Sequence, residues 1–446
     1  MLQRLLTPFR FGFRSTLADA ILVGNSFVWY YVVFALLLQD LLSKINSVDF
    51  YQTVLIWGLH FGGIILSAVV GTFISKKIKQ TQLIMLWMII GTLSSLAVAT
   101  VNPLDIVQIS LIGLLLGVSL GFGMPSCISR FAESIPVGNR GRASGITLFA
   151  SGIGIVAFSI SGISGVIMFG VVLAIWRLAG LIIFLLAKVP SSPISIKKST
   201  SNYKKIVNQH SFILYFVPWV MFSLINYLVA PTTPNLGGAD AANLVVVQTG
   251  FMGVFALLGG FFIDSMGRKR VAVTGFILLG LGTAILGISN TSVPILFFNA
   301  ILDGTAWGFL LVLFILTLWG DLSFSESSEK YYALGVIPFF VSNFLGLTIG
   351  SGISSHLSDS SALFSFGALF LFLAVLPLIY APETLPEKAI KDRDLKSYVE
   401  KARKAALKEE EKKQKKKEET NQASEDKEEK HNNEYDEARK LAEKYY

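Results

Sequence analysis

The sequence predicts an all-α integral membrane protein: twelve transmembrane helices in two pseudo-symmetric six-helix bundles, followed by a charged cytoplasmic tail. Three observations carry this. Hydrophobic residues make up 52% of the chain and the mean hydropathy is +0.60, and the apolar residues fall in long blocks, which suits a bilayer better than water. Lys and Arg outside the tail gather on alternate connections. The second half also repeats landmarks of the first at one sequence shift.

A helix that crosses the hydrocarbon core needs ~20 mostly apolar residues. Twelve segments meet this: 18–42, 52–74, 81–100, 106–128, 143–163, 166–188, 211–230, 243–264, 270–289, 293–320, 331–355 and 362–381. Between the fifth and sixth no polar loop intervenes, and Gly162, Ser164 and Gly165 mark the turn. All Lys and Arg outside the tail lie before the first span or in even-numbered loops, except Lys44 in an odd loop and Arg177 within a span. By the positive-inside rule both termini are cytoplasmic, in a multi-pass protein of the cytoplasmic (plasma) membrane. The first apolar segment is too long for a signal-peptide core and reads as a retained helix. The opening MLQRLLTPFRFGFR suits an amphipathic stretch on an anionic leaflet, or a plain positive flank.

Residues 387–446 are a different physical object. They hold 18 basic and 17 acidic residues, against 20 and 13 in the preceding 386. A weak helical stripe at Leu395, Val399, Ala402 and Ala406 gives way to KEEEKKQKKKEE, which reads as a solvated tail. The formal charge of +8 is explained by topology, so no nucleic-acid partner is expected. One cysteine, Cys127, allows no internal disulfide and no cysteine-based metal site. No cofactor or metal is expected; the expected partners are a small-molecule solute, a proton and the lipid bilayer, with the chain a monomer.

The repeat appears at a shift of 190 or 191. Pro103, Gly113 and Gly117 match Pro294, Gly304 and Gly308; Ala143, Gly145, Phe149, Ser161 and Gly162 match Ala333, Gly335, Phe339, Ser351 and Gly352; Arg140 matches Lys330. This divides the chain into residues 1–188, a cytoplasmic linker 189–210, residues 211–386 and the tail 387–446.

Between spans eight and nine stands GGFFIDSMGRKRVAVTG, residues 259–275. Gly260, Asp264, Gly267, Arg268 and Lys269 resemble the loop signature G-x-x-x-D-x-x-G-R-K/R of the major facilitator superfamily. The first-half counterpart, GTFISKKIK at 71–79, has Ser75 for the carboxylate and Ile78 for the second glycine, which predicts a one-sided latch. Glu133, Pro136, Arg140 and Gly141, and Pro382, Glu383 and Thr384, resemble cytoplasmic motifs of the sugar-porter branch. The sugar-binding pattern of that branch is missing from span seven. The resemblance implies that Asp264 caps the start of span eleven, near Tyr331, and that the cytoplasmic side closes through ion pairs. Arg268 is expected to reach Asp321, Glu326 or Glu329, and Glu133 to meet Arg140, Lys76 or Lys77. Exposed, such pairs are worth ~0–1 kcal/mol each.

Polar groups deep in a bilayer are functional candidates. Asp303 lies near the middle of span ten, with Asn299 one turn before it and Trp307 one turn after. The resemblance implies that spans one, four, seven and ten line a central cavity, which makes Asp303 a candidate for substrate contact or proton coupling; a structural hydrogen bond is the alternative. His60 in span two is a further candidate for substrate contact or proton coupling, since an imidazole can titrate in the physiological range; helix packing is the favoured alternative. Asn25 and Trp29 in span one, and Trp219, Asn226 and Tyr227 in span seven, are spaced to share a face. Trp176 and Arg177 read as an interfacial anchor. Pro218 and Pro338 are expected to kink their helices. The resulting expectation is a secondary transporter working by alternating access, with a transporter-like sensor that signals through its tail as the alternative. No catalytic constellation is present, so no enzyme is expected.

Overall fold

The computed structural model describes residues 13–45, 49–187, 202–229, 238–288, 292–323, 326–350 and 361–385, with scattered positions of 395–407 and residues 432–444 in the tail. The side chains of Phe13, 226–229 and 238–242 lie outside this description, as do the N-terminal stretch 1–12, most of the linker, and the repeat positions Ser351 and Gly352.

The first half holds α1 (Phe13–Tyr31, continued to Ser43 through a wide turn at Val32–Leu37), α2 (Phe50–Ile74), α3 (Gln80–Val98), α4 (Ile106–Gly121, then Met124–Glu133), α5 (Arg140–Ile160) and α6 (Val166–Leu186). A short helix, Tyr203–Val207, precedes α7 (His210–Val229). There follow α8 (Gly238–Met266), α9 (Arg268–Ile288), α10 (Val293–Leu311, continued to Leu322), α11 (Glu329–Gly335, then Ile337–Leu345 and on to Gly350) and α12 (Ser361–Leu373, then Val375–Tyr380). Among the described residues, eleven of these are long and apolar enough to cross a membrane; α7 qualifies only as a shorter apolar helix, His210–Ile225. Large apolar side chains such as Leu66, Leu93, Leu111, Ile167 and Phe366 point outward and exposed, as they must where the surrounding solvent is lipid rather than water.

Local chemistry sets the helix limits. The Asp105 carboxylate accepts from the N–H groups of Val107 and Gln108 to start α4. Pro218 sits inside α7, and Pro338 stands in the first turn after the break in α11. Gly267 joins α8 to α9 at φ +102°, a conformation that only glycine adopts without strain.

Helix pairing repeats with a step of six. α2 packs on α4 as α8 packs on α10, α3 on α6 as α9 on α12, α1 on α5 as α7 on α11, and α1 on α6 as α7 on α12. The two sets meet through α5 on α8 and α2 on α11. At the α5–α8 crossing a Cβ on Gly141 would come within 2.6 Å of the Gly260 carbonyl, and one on Gly145 within 2.6 Å of the Ala256 carbonyl. Small residues therefore bring these backbones into direct contact. Residues 386–446 form a separate unit, in which residues 432–444 are an exposed helix carrying an Arg439–Glu443 pair at 3.4 Å.

Candidate functional site

The conspicuous polar construction lies at the end of the molecule that carries the basic loops. Asp264, in the last turn of α8, accepts from the backbone N–H groups of Gly141 at 2.9 Å and Arg142 at 2.8 Å. These donors open α5, where an N-terminus presents unpaired N–H groups and the positive end of the helix dipole to an anion. Asp321, near the end of α10, accepts from Arg140 at 2.7 Å on one oxygen and from Arg268 at 2.8 Å on the other. Arg268 also donates to the carbonyls of Ile263 at 3.0 Å and Val137 at 2.5 Å. Side chains of Asp264, Arg268 and Asp321 are wholly inaccessible. They form a buried network, so removing one partner costs ~3–5 kcal/mol rather than the ~0–1 of a surface pair.

Two points differ from the sequence expectation. Asp264 caps α5 and not α11, because α8 crosses α5 on the Gly141, Gly145 and Gly260 contact, while α11 crosses α2. The latch is also two-sided. Ser75, at the end of α2, donates to the carboxylate of Glu329 in the first turn of α11. The acid missing from α2 is supplied by the partner helix. Nearby, the Ser129 and Ser328 hydroxyls lie 2.5 Å apart, and a Glu133 carboxylate oxygen stands 3.4 and 3.3 Å from them, so one serine donates to the other and that one donates to Glu133. The short helix joins in: Tyr203 meets the Thr72 hydroxyl at 2.6 Å, and Lys205 pairs with Glu326 at 2.9 Å. Burial pushes the pKa of the Tyr203 phenol above its ordinary range and so keeps it protonated.

Glu383, just after α12, accepts from the N–H groups of Arg268 at 2.9 Å and Lys269 at 3.2 Å, so it caps α9 as Asp264 caps α5. Lys269 reaches the Ile379 carbonyl at 2.5 Å.

Deeper in the bundle is a cavity of about 30 Å³ whose wall includes Ser26 and Phe27 of α1, Trp87 of α3, Cys127 of α4 and Phe339 and Phe340 of α11. Asn25 and Trp29, also of α1, do not belong to this wall and face α6 and α3 instead. Asn25 exchanges hydrogen bonds with Trp176, Nδ2 to carbonyl at 2.7 Å and indole to carbonyl at 2.9 Å, and Trp29 donates to Ser95 at 2.9 Å. Arg177, read from sequence as an interfacial anchor, is instead fully buried in this cluster, since it stands in the middle of α6 rather than at its start.

The other interior candidates are dispersed. Asp303 accepts from Gln248 of α8 at 2.5 Å, and Asn299 packs over Gly282 of α9. Neither belongs to the wall of the cavity, because that flank of α10 faces α8 and α9. Trp307 packs on Phe222 of α7 with ring centres 4.7 Å apart. Trp219 stacks on Phe314 at 4.8 Å and donates to the Gly335 carbonyl at 2.8 Å. His60 pairs through Nδ1 with the Gly113 carbonyl at 2.9 Å in the α2–α4 contact. The side chains of Asn226 and Tyr227 lie outside the described residues.

Sequence reading missed a buried ion pair: Arg130 of α4 donates to Asp19 of α1 at 2.8 Å, with 6% and 2% of the side chains exposed. Ending the fourth span at residue 128 leaves Arg130 in a loop, and nothing in the sequence pairs it with Asp19, 111 residues away.

A model of the Major Facilitator Superfamily matches residues 211–414. The solved structure of a major facilitator superfamily proton:xylose symporter, XylE, bound to 6-bromo-6-deoxy-D-glucose, superposes with a TM-score of 0.64 at 17% identity, covering 84% of this chain and 97% of that one. The chain therefore shares the superfamily's sequence pattern over residues 211–414 and the symporter's fold over most of its length. The sequence match rests on the second half, where the loop signature is intact; the fold match extends over the first half, where the signature has changed. Curated protein sequences gave no match.

Proposed function

We propose that this chain is a secondary active transporter that carries a small solute across the cytoplasmic membrane by alternating access, with the basic loops and both termini on the cytoplasmic side. The observation that carries the reading is the buried network in which Asp264 of the second half caps a helix of the first. Opening the cytoplasmic side requires the α5–α8 and α2–α11 crossings to part, so these contacts belong to the closed state and bias the equilibrium toward the opposite opening. The symporter with the same fold supports proton coupling. Asp19, whose Oδ2 has no hydrogen-bond partner among the described residues, and Asp303 are the membrane-embedded carboxylates that suit the coupling role. The six-plus-six division with a linker at 189–210 is part of this proposal.

The test is uptake by proteoliposomes against a panel of sugars, organic acids, amino acids and nucleosides under an imposed pH difference. Accumulation against a gradient that collapses with a protonophore is the expected result. If Asp19→Asn and Asp303→Asn both accumulate solute as the unmodified protein does, proton coupling through these groups is wrong. If no solute of any class moves, transport itself is wrong. Deleting residues 387–446 should leave uptake intact.

A further inference from the structure

Among the described residues, Arg177 is a fully buried charge with no carboxylate in a salt bridge to it. A guanidinium stays protonated in proteins, and an isolated charge at membrane depth is costly, so its surroundings must stabilise it. They do so in part. The rings of Trp29 and Trp87 lie 5.0 and 4.5 Å from its central carbon, a cation–π arrangement, and Nη1 donates to Ser26 at 2.8 Å and Asn25 at 3.4 Å. Nε and Nη2 have no acceptor among the described residues. The neighbouring charges do not help, since Asp19 is already paired with Arg130.

The two unused nitrogens form one edge of the planar guanidinium, the edge that grips both oxygens of a carboxylate in a bidentate fork. A second observation falls at the same place. Gly91 of α3 faces that edge, where a Cβ would stand 2.6 Å from Nε and 2.9 Å from Nη2. Among the described residues no side chain covers this edge; the α3 backbone at Gly91 packs against it. A third concerns the adjoining cavity: Ser26 and Trp87, both in contact with the guanidinium, also line the cavity, whose remaining wall is largely apolar and aromatic.

We propose that Arg177 is the anion-recognition group of the transport site, and that its solute is a small monocarboxylate with an apolar body. The carboxylate binds Nε and Nη2, and the body occupies the cavity between α1 and α11. This inference rests on the transport reading above. At about 30 Å³ the cavity holds little more than a water, so the structure shows the site shut. In this arrangement α3 stands over both, with Gly91 against the guanidinium edge and Trp87 between the guanidinium and the cavity. A neutral sugar would leave both donors unsatisfied, so the substrate class differs from that of the xylose symporter.

The test uses full-length protein in lipid nanodiscs, calorimetry with benzoate and phenylacetate, and their uncharged counterparts benzamide and benzyl alcohol, with D-xylose as a further probe. Benzoate uptake by proteoliposomes runs in parallel. The carboxylates should bind and the neutral probes should not. Arg177→Gln and Arg177→Lys should each weaken binding at least about tenfold, the lysine because it offers no fork. Gly91→Ala, which keeps the arginine, should weaken it similarly. If the Arg177 variants do not fold, Gly91→Ala and the carboxylate–amide comparison on unmodified protein decide the matter. Benzamide or xylose binding as tightly as benzoate, absence of carboxylate binding, or full binding by Gly91→Ala or Arg177→Gln overturns the proposal. Carboxylate binding without uptake would overturn the transport reading alone. Uptake of a neutral solute at an undiminished rate by Arg177→Gln would overturn this assignment alone.

Discussion

Replacing Asp264 by Ala removes two hydrogen bonds from a carboxylate to the open N-terminus of α5, at 2.9 and 2.8 Å. Each charge-assisted bond contributes ~1.5–3 kcal/mol. The change also leaves Arg268 with one carboxylate, Asp321, instead of two. Together these put the loss for the closed basic end at ~3–5 kcal/mol, within the range for breaking a buried pair. Because ~1.4 kcal/mol is a factor of ten, a closed-to-open ratio near 100:1 would move to about 1:1 or past it. Pulsed electron–electron resonance between spin labels at Lys77→Cys and Arg270→Cys reads this directly. Both positions are exposed at the basic end, on opposite halves, and the native Cys127 is buried and escapes labelling. The expected result is a second, longer distance that dominates in Asp264→Ala and is minor in the parent. An unchanged distance distribution in a folded variant would refute the reasoning.

The same label pair tests the α2–α11 side. Ser75→Asp restores the acid of the family signature yet places it against Glu329; like charges at this distance repel, so it should open the basic end more than Ser75→Ala does, and adding Glu329→Gln should close it again. Gly267→Ala forces alanine to φ +102° and its Cβ against the Glu383 carboxylate; a loss of ~1–2 kcal/mol or more is expected, seen as a lower unfolding temperature in detergent, and an unchanged temperature contradicts it. In the Arg140–Asp321 pair, Arg140→Ala and Asp321→Ala should be strongly non-additive in gate opening, since either one dismantles the same bridge.

The features most legible in the sequence were those fixed by the solvent and by repetition. Apolar block length gave the helices, because lipid exposes apolar faces all round, and the shared glycines at 113, 117, 304 and 308 sit in the α2–α4 and α8–α10 contacts. The signature loop located Asp264 and Arg268 but not the helix Asp264 caps, since a loop motif carries no information on which helix crosses behind it. Ser75 looked like a lost acid because the compensating Glu329 lies 254 residues away. Asp303 drew attention as an acid in a span, yet spacing along α10 does not reveal that its flank meets Gln248. Arg177 was misread for a related reason: its position relative to the membrane depends on where α6 begins, and the unpunctuated run from 143 to 188 conceals that start.

The central claim is that the contact at the basic end must break in every transport cycle. The Ser129 and Ser328 hydroxyls, 2.5 Å apart across the two halves, mark a place to lock it. In a Cys127→Ala background, Ser129→Cys with Ser328→Cys should form a disulfide, and its Cβ atoms need to come within roughly 3.5–4.5 Å to do so. Uptake of a transported solute by the oxidised protein in proteoliposomes is the decisive measurement. The account predicts that uptake stops on oxidation and returns with reductant, while each single-cysteine control is indifferent to both. Undiminished uptake by fully cross-linked protein would contradict it.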